Sequence, residues 1–291
     1  MTQAICRTAL YMPANNARAM QKATTLPADA IIIDLEDSVA PSAKAQAREA
    51  ALKALSEQDY GYRLRILRVN APDTQWFADD VSAVAQAKPD ALLIPKVESA
   101  DMIVEVQRKL DKLDTSGAIK LWAMLETPKA VVNAVSIAAS KKNCSRLDTF
   151  CIGNNDLASA SNMKITSDRM LMLPWLLQFV VAAKAFDLNI LDGVYNDFAD
   201  LEGFGLECTQ GAAMGMNGKT LIHPKQIDLA NAAFAPSAAD VAEAQLIVDT
   251  FGLKENSDAG VVQINGRMVE RLHLEMAQRT LDLVNRVSAL N

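Results

Sequence analysis

The feature that most limits how this 291-residue chain can fold is a regular alternation of short apolar runs with segments of helical spacing. Eight apolar runs, each bounded by polar residues, glycine or proline, cover residues 8–12, 30–34, 64–70, 91–95, 119–125, 149–153, 189–194 and 220–222. Helical spacing of the apolar residues is clearest between them at 44–55, 100–113, 128–140 and 169–186. Because neighbouring parallel strands require a crossover, this order predicts repeated β-α units. Eight units in about 225 residues fit an α/β chain closed into a (β/α)8 TIM barrel.

The main structural alternative is an open, doubly wound sheet, which the same alternation also supports. The first apolar run is not followed by a G-x-G-x-x-G turn, so the barrel is the favoured prediction. We place the barrel catalytic domain at residues 1–235 and a helical C-terminal lid or oligomerisation segment at 236–291. Within that segment we predict helices at 238–251 and 268–287, with a short apolar run at 261–264 between them.

Composition and charge narrow the class of protein. Half of the residues are hydrophobic, which is enough to bury a full core, and the net charge of −6 argues against a nucleic-acid partner. No apolar run approaches the roughly 18 residues that span a bilayer, and the N-terminus lacks the basic and apolar regions of a secretory leader. We therefore expect a cytoplasmic protein that acts on small molecules, with no membrane or nucleic-acid partner.

Cysteine and histidine are too few and too scattered to predict a zinc site. They occur at Cys6, Cys144, Cys151, Cys208, His223 and His273. The cysteines form no C-x-x-C pair, so we expect them to be reduced residues that pack in the core. With only two histidines, one chain cannot build a multi-histidine metal site.

Charged residues follow the apolar runs at the points where the predicted strands end. They are Asp34, Glu36, Asp37, Arg68, Lys96, Glu126, Asp156, Asp192 and His223. The carboxyl ends of all the strands of a TIM barrel meet on one face, where the active site lies. Charged groups are costly beside an apolar core unless they are paired or bind a metal, so their repeated placement predicts a site on this face.

Glu126 and Asp156 follow neighbouring strands and are the predicted metal ligands. Two carboxylates with open positions for water suit a hard divalent ion, and the lack of His or Cys around them favours Mg²⁺ over zinc. Taken singly, either residue could be a helix N-cap or a surface acid, but the two together favour a Mg²⁺ site. Asp34, Glu36 and Asp37 then form a second acidic group that can hold metal-bound water or an arginine.

Arg68 is the natural counter-charge on this acidic face, since a guanidinium stays protonated and can bind a carboxylate or enolate oxygen at two points. Its structural alternative is a salt bridge to Asp37, and the two roles can coexist. Asp37 is itself a catalytic candidate. Lys96 could be the Schiff-base lysine of a metal-free aldolase, but the nearby carboxylates would keep its ammonium charged.

Residues 153–157, with the sequence Gly-Asn-Asn-Asp-Leu, are typical of a tight turn into a helix. Free backbone N–H groups in such a turn can receive the carboxylate of a 2-oxo acid, which makes Gly153, Asn155 and Leu157 substrate-binding candidates. A metal on Asp156 would lie beside them. The predicted chemistry is stabilisation of an enolate oxygen by Mg²⁺ and Arg68 while a bond to an aldehyde or ketone carbon forms or breaks.

Seven short motifs occur in order along the chain. They are RTALYMP at 7–13, DLEDSVAP at 34–41, RVN at 68–70, PKVES at 95–99, ETP at 126–128, DGVY at 192–195 and GKTLIHP at 218–224. With these motifs the chain resembles, over nearly its entire length, the citrate lyase beta-subunit-like coenzyme A ester lyases of the HpcH/HpaI aldolase superfamily. That family includes malyl-, citramalyl- and citryl-CoA lyases and malyl-CoA thioesterases.

The resemblance implies a (β/α)8 barrel, Mg²⁺ on Glu126 and Asp156, and substrate contact by Arg68. It also implies a homo-oligomer, either a trimer or a hexamer. In such enzymes the coenzyme A phosphates meet basic residues in the helix after the first strand, which would here be Arg18 and Lys22.

Two departures from the family pattern limit this transfer. After Asp156 the chain reads Ala-Ser-Ala-Ser-Asn at 158–162, where many of the lyases carry a small-residue stretch ending in Asp-Leu-Gly. Near the C-terminus, the lyases carry an Asp that a neighbouring subunit contributes to catalysis, whereas this chain offers Glu270. The extra methylene moves the carboxylate by about one bond length, which can favour water activation and thioester hydrolysis. The alternative for Glu270 is an exposed acid in the first turn of a helix.

We therefore expect a Mg²⁺-dependent lyase that cleaves or forms the carbon–carbon bond of a 3-hydroxyacyl-CoA such as malyl-, citramalyl- or citryl-CoA, with thioester hydrolysis as a related outcome. Its partners would be a small acyl-CoA and a 2-oxo acid. Two alternatives stay open: a metal-dependent aldolase for free 2-oxo acids, and a non-catalytic metal-binding homologue, since a fold does not determine a function.

Overall fold

The computed structural model describes residues 4–114, 116–256 and 258–290 of the chain. Eight parallel strands pair in chain order, and the last pairs with the first to close a barrel. The strands are β1 (Thr8–Pro13), β2 (Ala30–Asp34), β3 (Leu64–Arg68), β4 (Ala91–Ile94), β5 (Lys120–Leu125), β6 (Leu147–Ile152), β7 (Asn189–Asp192) and β8 (Gly218–Leu221). The predicted (β/α)8 TIM barrel is confirmed, and an open doubly wound sheet is excluded because a closed barrel has no free edge.

Helices follow the strands along the chain. They are α1 (Ala17–Ala23), α2 (Lys44–Glu57), α3 (Phe77–Ala87), α4 (Ala100–Asp111), α5 (Pro128–Ala139), α6 (Asn154–Ala160), α7 (Leu173–Ala185), α8 (Leu201–Ala213) and α9 (Ile227–Ala233). The four helical segments predicted from the sequence correspond to α2, α4, α5 and α7. Within the part of the chain that the structure describes, no helix is long and apolar enough to cross a membrane.

The barrel core consists of apolar side chains contributed by most of the strands. Strand β2 is buried at every position, as expected for a parallel strand covered on both faces. One core cluster contains Cys6, Ala9, Ala30, Ile32, Ile66, Ala91, Leu93, Trp122, Met124, Cys151 and Leu191. All four cysteines are buried and free, as the sequence predicts.

A short connection fixes the position of Glu126. Strand β5 ends at Leu125, and Thr127 caps α5 by accepting a hydrogen bond from the N–H of Ala130 at 3.2 Å. Pro128 occupies the first turn of α5, where an N–H has no helical acceptor. Glu126 is therefore the only residue between the strand and the helix cap, which leaves it at the carboxyl end of the barrel.

The chain divides into two compact units, Met1–Asn231 and Ala232–Asn291. The elements that lie wholly within the second unit are α10 (Ala238–Gly252), β9 (Val261–Ile264), β10 (Arg267–Glu270) and α11 (Arg271–Ser288). The side chains of Phe251, Val262 and Val269 form a small core in this unit.

The helix predicted at 268–287 was wrong at its start, because residues 267–270 form a strand that pairs antiparallel with β9. Asn265 and Gly266 connect the two strands with positive φ values of 50° and 76°. These values suit a tight two-residue hairpin turn, for which Asn-Gly is a strong sequence signal. The sequence therefore contained the signal for this hairpin, which the helical spacing downstream obscured.

Candidate active site

A cavity of about 380 Å³ opens at the carboxyl ends of the barrel strands. It is lined by Tyr11, Pro13, Asp34, Asp37, Ser38, Arg68, Met124, Ile152, Gly153, Asn154, Asn155, Asp156, Val194 and Ile222. A larger cavity of about 550 Å³ involves residues near the amino ends of the strands, such as Leu64, Ala91 and Lys120. We assign the candidate active site to the smaller cavity, because its lining includes four of the nine predicted charged residues, Asp34, Asp37, Arg68 and Asp156, and because TIM-barrel enzymes carry their active sites at the carboxyl face.

Glu126 is almost completely buried, with 1% of its surface exposed. Its Oε1 accepts a hydrogen bond from the backbone N–H of Lys96 at 2.7 Å. Its Oε2 is buried and has no hydrogen-bond partner among the described residues. Burial and the nearby Asp156 carboxylate raise the pKa of Glu126 to about 8. A buried carboxylate oxygen without a partner is unfavourable in a folded protein, and a bound cation would satisfy it.

Two backbone positions shape the space around Glu126. Lys96 adopts a left-handed conformation with a φ of 52°, which is uncommon for a residue other than glycine, and its N–H is the donor to Oε1. A Cβ at Gly153 would lie 2.5 Å from Oε2 of Glu126. Any side chain at Gly153 would therefore displace the carboxylate. The sequence predicts Gly153 as a substrate contact, whereas this packing contact is visible only in the structure.

Asp156 lies in the first turn of α6 and lines the same cavity. Because β5 and β6 are paired neighbours, the two predicted ligands approach from adjacent strands. Across residues 4–114, 116–256 and 258–290, no group of three or more His, Cys, Asp or Glu side chains is arranged to hold a metal ion. A cation here would take two carboxylates from the protein and its other ligands from water or substrate, a pattern of oxygen ligands that suits Mg²⁺.

Arg68, the last residue of β3, is held by a set of short contacts. Its Nε and Nη2 donate to the two carboxylate oxygens of Asp34 at 2.6 and 2.7 Å. Its Nη1 lies 2.9 Å from Glu36 and 3.5 Å from the exposed Asp37. The two-point contact therefore belongs to Asp34 rather than to Asp37, because Asp34 and Arg68 are register partners on paired strands. Burial alone would lower the pKa of Arg68, but the Asp34 carboxylate raises it well above its ordinary value.

Two residues next to Arg68 were not predicted from the sequence. The guanidinium carbon lies 5.0 Å from the centre of the Tyr11 ring. The sulphur of Met124 lies 3.9 Å from the Tyr11 hydroxyl and 3.9 Å from Nη1 of Arg68. Neither residue is charged, so the pattern of charges at the strand ends could not reveal them. Only their places on β1 and β5 indicate that they belong to the barrel.

The side chain of Lys96 points to Glu36, with Nζ and Oε1 3.3 Å apart. Burial lowers the pKa of Lys96, but the Glu36 carboxylate outweighs burial and raises the pKa above its ordinary value. A Schiff-base lysine needs a lowered pKa. The surroundings of Lys96 therefore disfavour a metal-free aldolase.

The turn from β6 into α6 differs in detail from the prediction. The N–H of Gly153 donates to the carbonyl of Leu125 at 3.1 Å, and the N–H of Leu157 donates to the carbonyl of Gly153 at 3.1 Å. Strand pairing thus continues to Gly153, and the first helical bond already includes Leu157, so these two N–H groups cannot also bind a substrate carboxylate as predicted. The N–H of Asn155 lies in the first turn, where the helix supplies no acceptor.

Asn154 is a further candidate that was not predicted. Its Oδ1 is buried and has no hydrogen-bond partner among the described residues, while its side chain lines the cavity. Its Nδ2 donates to the carbonyl of Val194 at a long distance of 3.5 Å. A Cβ at Gly193 would meet the Asn154 amide at 2.5 Å, so this glycine leaves the space that the amide occupies.

Asp192, which ends β7, serves the fold rather than the cavity. Its carboxylate accepts hydrogen bonds from Arg169 at 2.8 and 2.9 Å and from Lys219 at 2.9 Å. Lys219 also donates to Glu207 at 2.6 Å. Burial raises the pKa of Asp192, but Lys219 and Arg169 outweigh it and lower the pKa below its ordinary value. The expectation that every strand-end charge would join one site was therefore wrong for Asp192.

The contacts of His223 also stabilise the fold. Its Nδ1 accepts a hydrogen bond from the N–H of Lys225 at 3.1 Å. Its ring stacks on Phe198, with ring centres 4.6 Å apart. Both contacts support the chain after β8.

The remaining predicted residues are exposed. Arg18 and Lys22 are separated by four positions on α1, so they share one face of that helix. Glu270 lies in the second unit, where it ends β10 and immediately precedes α11. Its N–H donates to Nδ1 of His273 at 3.0 Å.

Together, the closed barrel and the charged cavity at its carboxyl face define the class of protein as a (β/α)8-barrel enzyme. Residues 7–224 match the HpcH/HpaI aldolase/citrate lyase family, so the chain belongs to that enzyme family. The resemblance inferred from the sequence motifs is confirmed.

Relatives of known function extend over almost the whole chain. The (3S)-malyl-CoA thioesterase of Cereibacter sphaeroides is 43% identical over 283 residues, which cover 97% of this chain and 96% of that protein. The citrate lyase beta subunit of Escherichia coli K12 is 30% identical over 280 residues, covering 94% and 92%. The crystal structure of CitE from Mycobacterium tuberculosis in complex with magnesium, acetoacetate and coenzyme A has a TM-score of 0.79 and 28% identity, covering 99% of this chain and 100% of that one.

Proposed function

We propose that this protein uses Mg²⁺ to hydrolyse the thioester of malyl-CoA or a similar short 3-hydroxyacyl-CoA. The observation that carries the proposal is the combination, around one cavity, of a buried Glu126 oxygen without a partner, the neighbouring Asp156, and the cationic Arg68. The 43% identity to a (3S)-malyl-CoA thioesterase over 97% of this chain supports both the acyl-CoA substrate and the hydrolytic reaction.

Glu126 and Asp156 would hold the Mg²⁺. When bound, the ion supplies positive charge that polarises a substrate oxygen. The presence of magnesium in the CitE crystal structure supports a divalent cation in this family. Arg68 would bind the thioester oxygen of the substrate, while Asp34 keeps its guanidinium in place through two hydrogen bonds.

The other predicted residues would have supporting roles. Asp37, at the cavity rim, would hold water near Arg68. Asn155 would receive a substrate carboxylate through its N–H, and Arg18 and Lys22 would contact the phosphates of coenzyme A. We propose that Glu270 acts as the general base for a neighbouring copy of the chain in a trimer or hexamer.

A second candidate function is carbon–carbon cleavage of the same acyl-CoA, which would release a 2-oxo acid such as glyoxylate. The 30% identity to a citrate lyase beta subunit favours it. Arg68 fits both reactions, because both place negative charge on the thioester oxygen.

Incubation with malyl-CoA and Mg²⁺, followed by separate assays for free thiol and glyoxylate, tests the proposal. Hydrolysis releases free thiol and malate without glyoxylate, whereas cleavage releases glyoxylate and acetyl-CoA. Acetyl-CoA with glyoxylate should be tested in the reverse direction. Absence of both products, under conditions where Mg²⁺ saturates the enzyme, would contradict both candidate functions, and a chelator provides the matched control.

A further inference from the structure

Two hydrogen-bond donors in the cavity point to the same atom. The Tyr11 hydroxyl and Nη1 of Arg68 each lie 3.9 Å from the sulphur of Met124. A thioether sulphur is a weak acceptor, so neither donor is well satisfied by this contact. The side chain of methionine is unbranched and has three rotatable bonds, so the sulphur can move aside when a better acceptor enters the cavity.

Nη1 of Arg68 is the guanidinium nitrogen that faces this position. Its Nε and one N–H of Nη2 donate to Asp34, and Nη1 forms an ion pair with Glu36 at 2.9 Å. The hydrogen bond that Nη1 donates is to the Met124 sulphur. At the position of the Met124 sulphur, Nη1 can therefore offer a substrate oxygen one hydrogen bond. An oxygen bound here needs a second donor from elsewhere.

Tyr11 has the position that a second donor requires. Its ring lies beside the Arg68 guanidinium at 5.0 Å, and its side chain lines the same cavity. Burial is the main reason that the pKa of Tyr11 is raised well above its ordinary value, so the phenol keeps its proton at neutral pH. A protonated phenol can donate a hydrogen bond to an oxygen that replaces the Met124 sulphur.

We propose that the Tyr11 hydroxyl and Nη1 of Arg68 form a two-donor oxyanion site for the thioester oxygen of the substrate, with the Met124 sulphur in that position when no substrate is bound. Tyr11 is then a catalytic residue that none of the family relationships assigns. This inference rests on the proposed action on an acyl-CoA.

Negative charge develops on the thioester oxygen in both candidate reactions. In hydrolysis, water gives a proton to a base and bonds to the thioester carbon, and the carbonyl π pair moves to oxygen. Collapse of this intermediate breaks the C–S bond, and the coenzyme A thiolate leaves and takes up the proton. In cleavage, the 3-hydroxyl gives up its proton to become the aldehyde oxygen, and the electrons of the broken C2–C3 bond move to the thioester oxygen as an enolate. Protonation at C2 then gives acetyl-CoA.

Substitution Tyr11→Phe tests the hydroxyl alone, because it keeps the ring beside Arg68. We expect kcat with malyl-CoA to fall about 100-fold, as for loss of one oxyanion donor, with KM changed by less than about threefold. The melting temperature should stay within about 2 °C of the wild type, because the partly buried ring is retained. Tyr11→Leu removes the ring as well, so it should lower both kcat and the melting temperature further.

Tyr60→Phe is the matched control. Tyr60 is buried, and its hydroxyl donates to Gln58 at 3.1 Å outside this cavity. Its rates should be unchanged. If the wild type is active and Tyr11→Phe keeps a kcat within about threefold of it, the oxyanion role is refuted while the proposed function stands. If Tyr11→Phe melts as low as Tyr11→Leu, the hydroxyl acts through packing and the inference fails. An inactive wild type would overturn the proposed function and this inference with it.

Discussion

Two groups of charged residues near strand ends differ in how completely their charged atoms are paired with ionic or hydrogen-bond partners. The closed cluster consists of Arg169, Asp192, Glu207 and Lys219, and the open cluster consists of Asp34, Glu36, Arg68, Lys96 and Glu126. In the closed cluster each carboxylate contacts both cations, at distances from 2.6 to 3.3 Å. In the open cluster Glu126 keeps a buried oxygen without a partner among the described residues.

The two clusters also differ in the number of carboxylates for each cation. Two carboxylates face two cations in the closed cluster, whereas three carboxylates face two cations in the open one. The surplus acidic group is Glu126, whose pKa is raised to about 8 by burial and by the nearby Asp156 carboxylate. A charge at a strand end therefore does not by itself indicate a ligand site. An unsatisfied polar atom combined with a charge imbalance is the more selective sign.

The largest effect should come from the unsatisfied residue. Glu126→Gln keeps the size of the side chain but removes the charge of the proposed metal ligand, so turnover should fall on the order of 1000-fold or more. The fold should hold, because Oε2 has no protein partner to lose. Initial rates at saturating Mg²⁺ and thermal melting measure both. Asp156→Asn and chelation of the wild type should act in the same direction. Near-native turnover in either variant would remove the metal assignment.

A substitution in the closed cluster should instead lower the free energy of unfolding. Lys219→Met leaves Asp192 and Glu207 with one cation between them in a fully buried setting. Removal of one partner from such a network is expected to reduce the free energy of unfolding by about 3–5 kcal/mol. Urea unfolding of this variant beside Glu126→Gln gives the comparison directly. A loss below about 1 kcal/mol would mean that the two clusters do not differ as described.

Arg68 belongs to the open cluster, but its Nε and Nη2 are paired with Asp34. Arg68→Lys keeps the charge and loses the two-point contact with Asp34, so we expect about 100-fold lower turnover together with a lower melting temperature. Both quantities should be measured on one preparation, with rates expressed per folded molecule. If the variant melts lower and turns over normally, Arg68 is only the structural partner of Asp34.

Glu270 tests whether the open cluster needs a base from outside the barrel. Glu270→Ala should lose on the order of 100-fold in rate with unchanged Mg²⁺ affinity, as for loss of a general base. Mixing it with inactive Glu126→Gln should restore some activity through hybrid oligomers, because some sites would again combine intact ligands with an intact base. Glu275→Ala, at an exposed acid within α11, is the control. No recovery after verified subunit exchange would exclude a base from a neighbouring copy.

The sequence predicted the barrel well because the apolar runs have the length and order of buried parallel strands. The predicted ends of the strands were less accurate. The apolar run at 64–70 extends past the end of β3 at Arg68, because the backbone N–H and the side-chain amide of Asn70 donate to Asp80. The two clusters looked alike in the sequence, because Glu126 and Asp192 both stand at strand ends. What separates them is Arg169, which is supplied by a distant loop, and no local pattern indicates that contact.

The smallest effect should come from Asp37, which lies at the rim of the open cluster. Its side chain is 57% exposed and 3.5 Å from Nη1 of Arg68, while Glu36 contacts the same nitrogen at 2.9 Å from a buried position. Exposed ion pairs are worth about 0–1 kcal/mol, so Asp37→Asn should slow turnover by about fivefold at most. The difference from the wild type should shrink as salt is added, because an exposed pair is screened within about 3 Å at 1 M ionic strength. Rates at two salt concentrations distinguish an exposed ion pair with Arg68 from a direct contact with the substrate. A salt-insensitive loss near 100-fold would show that Asp37 acts on the substrate itself, and that burial does not rank the contributions of the carboxylates around Arg68.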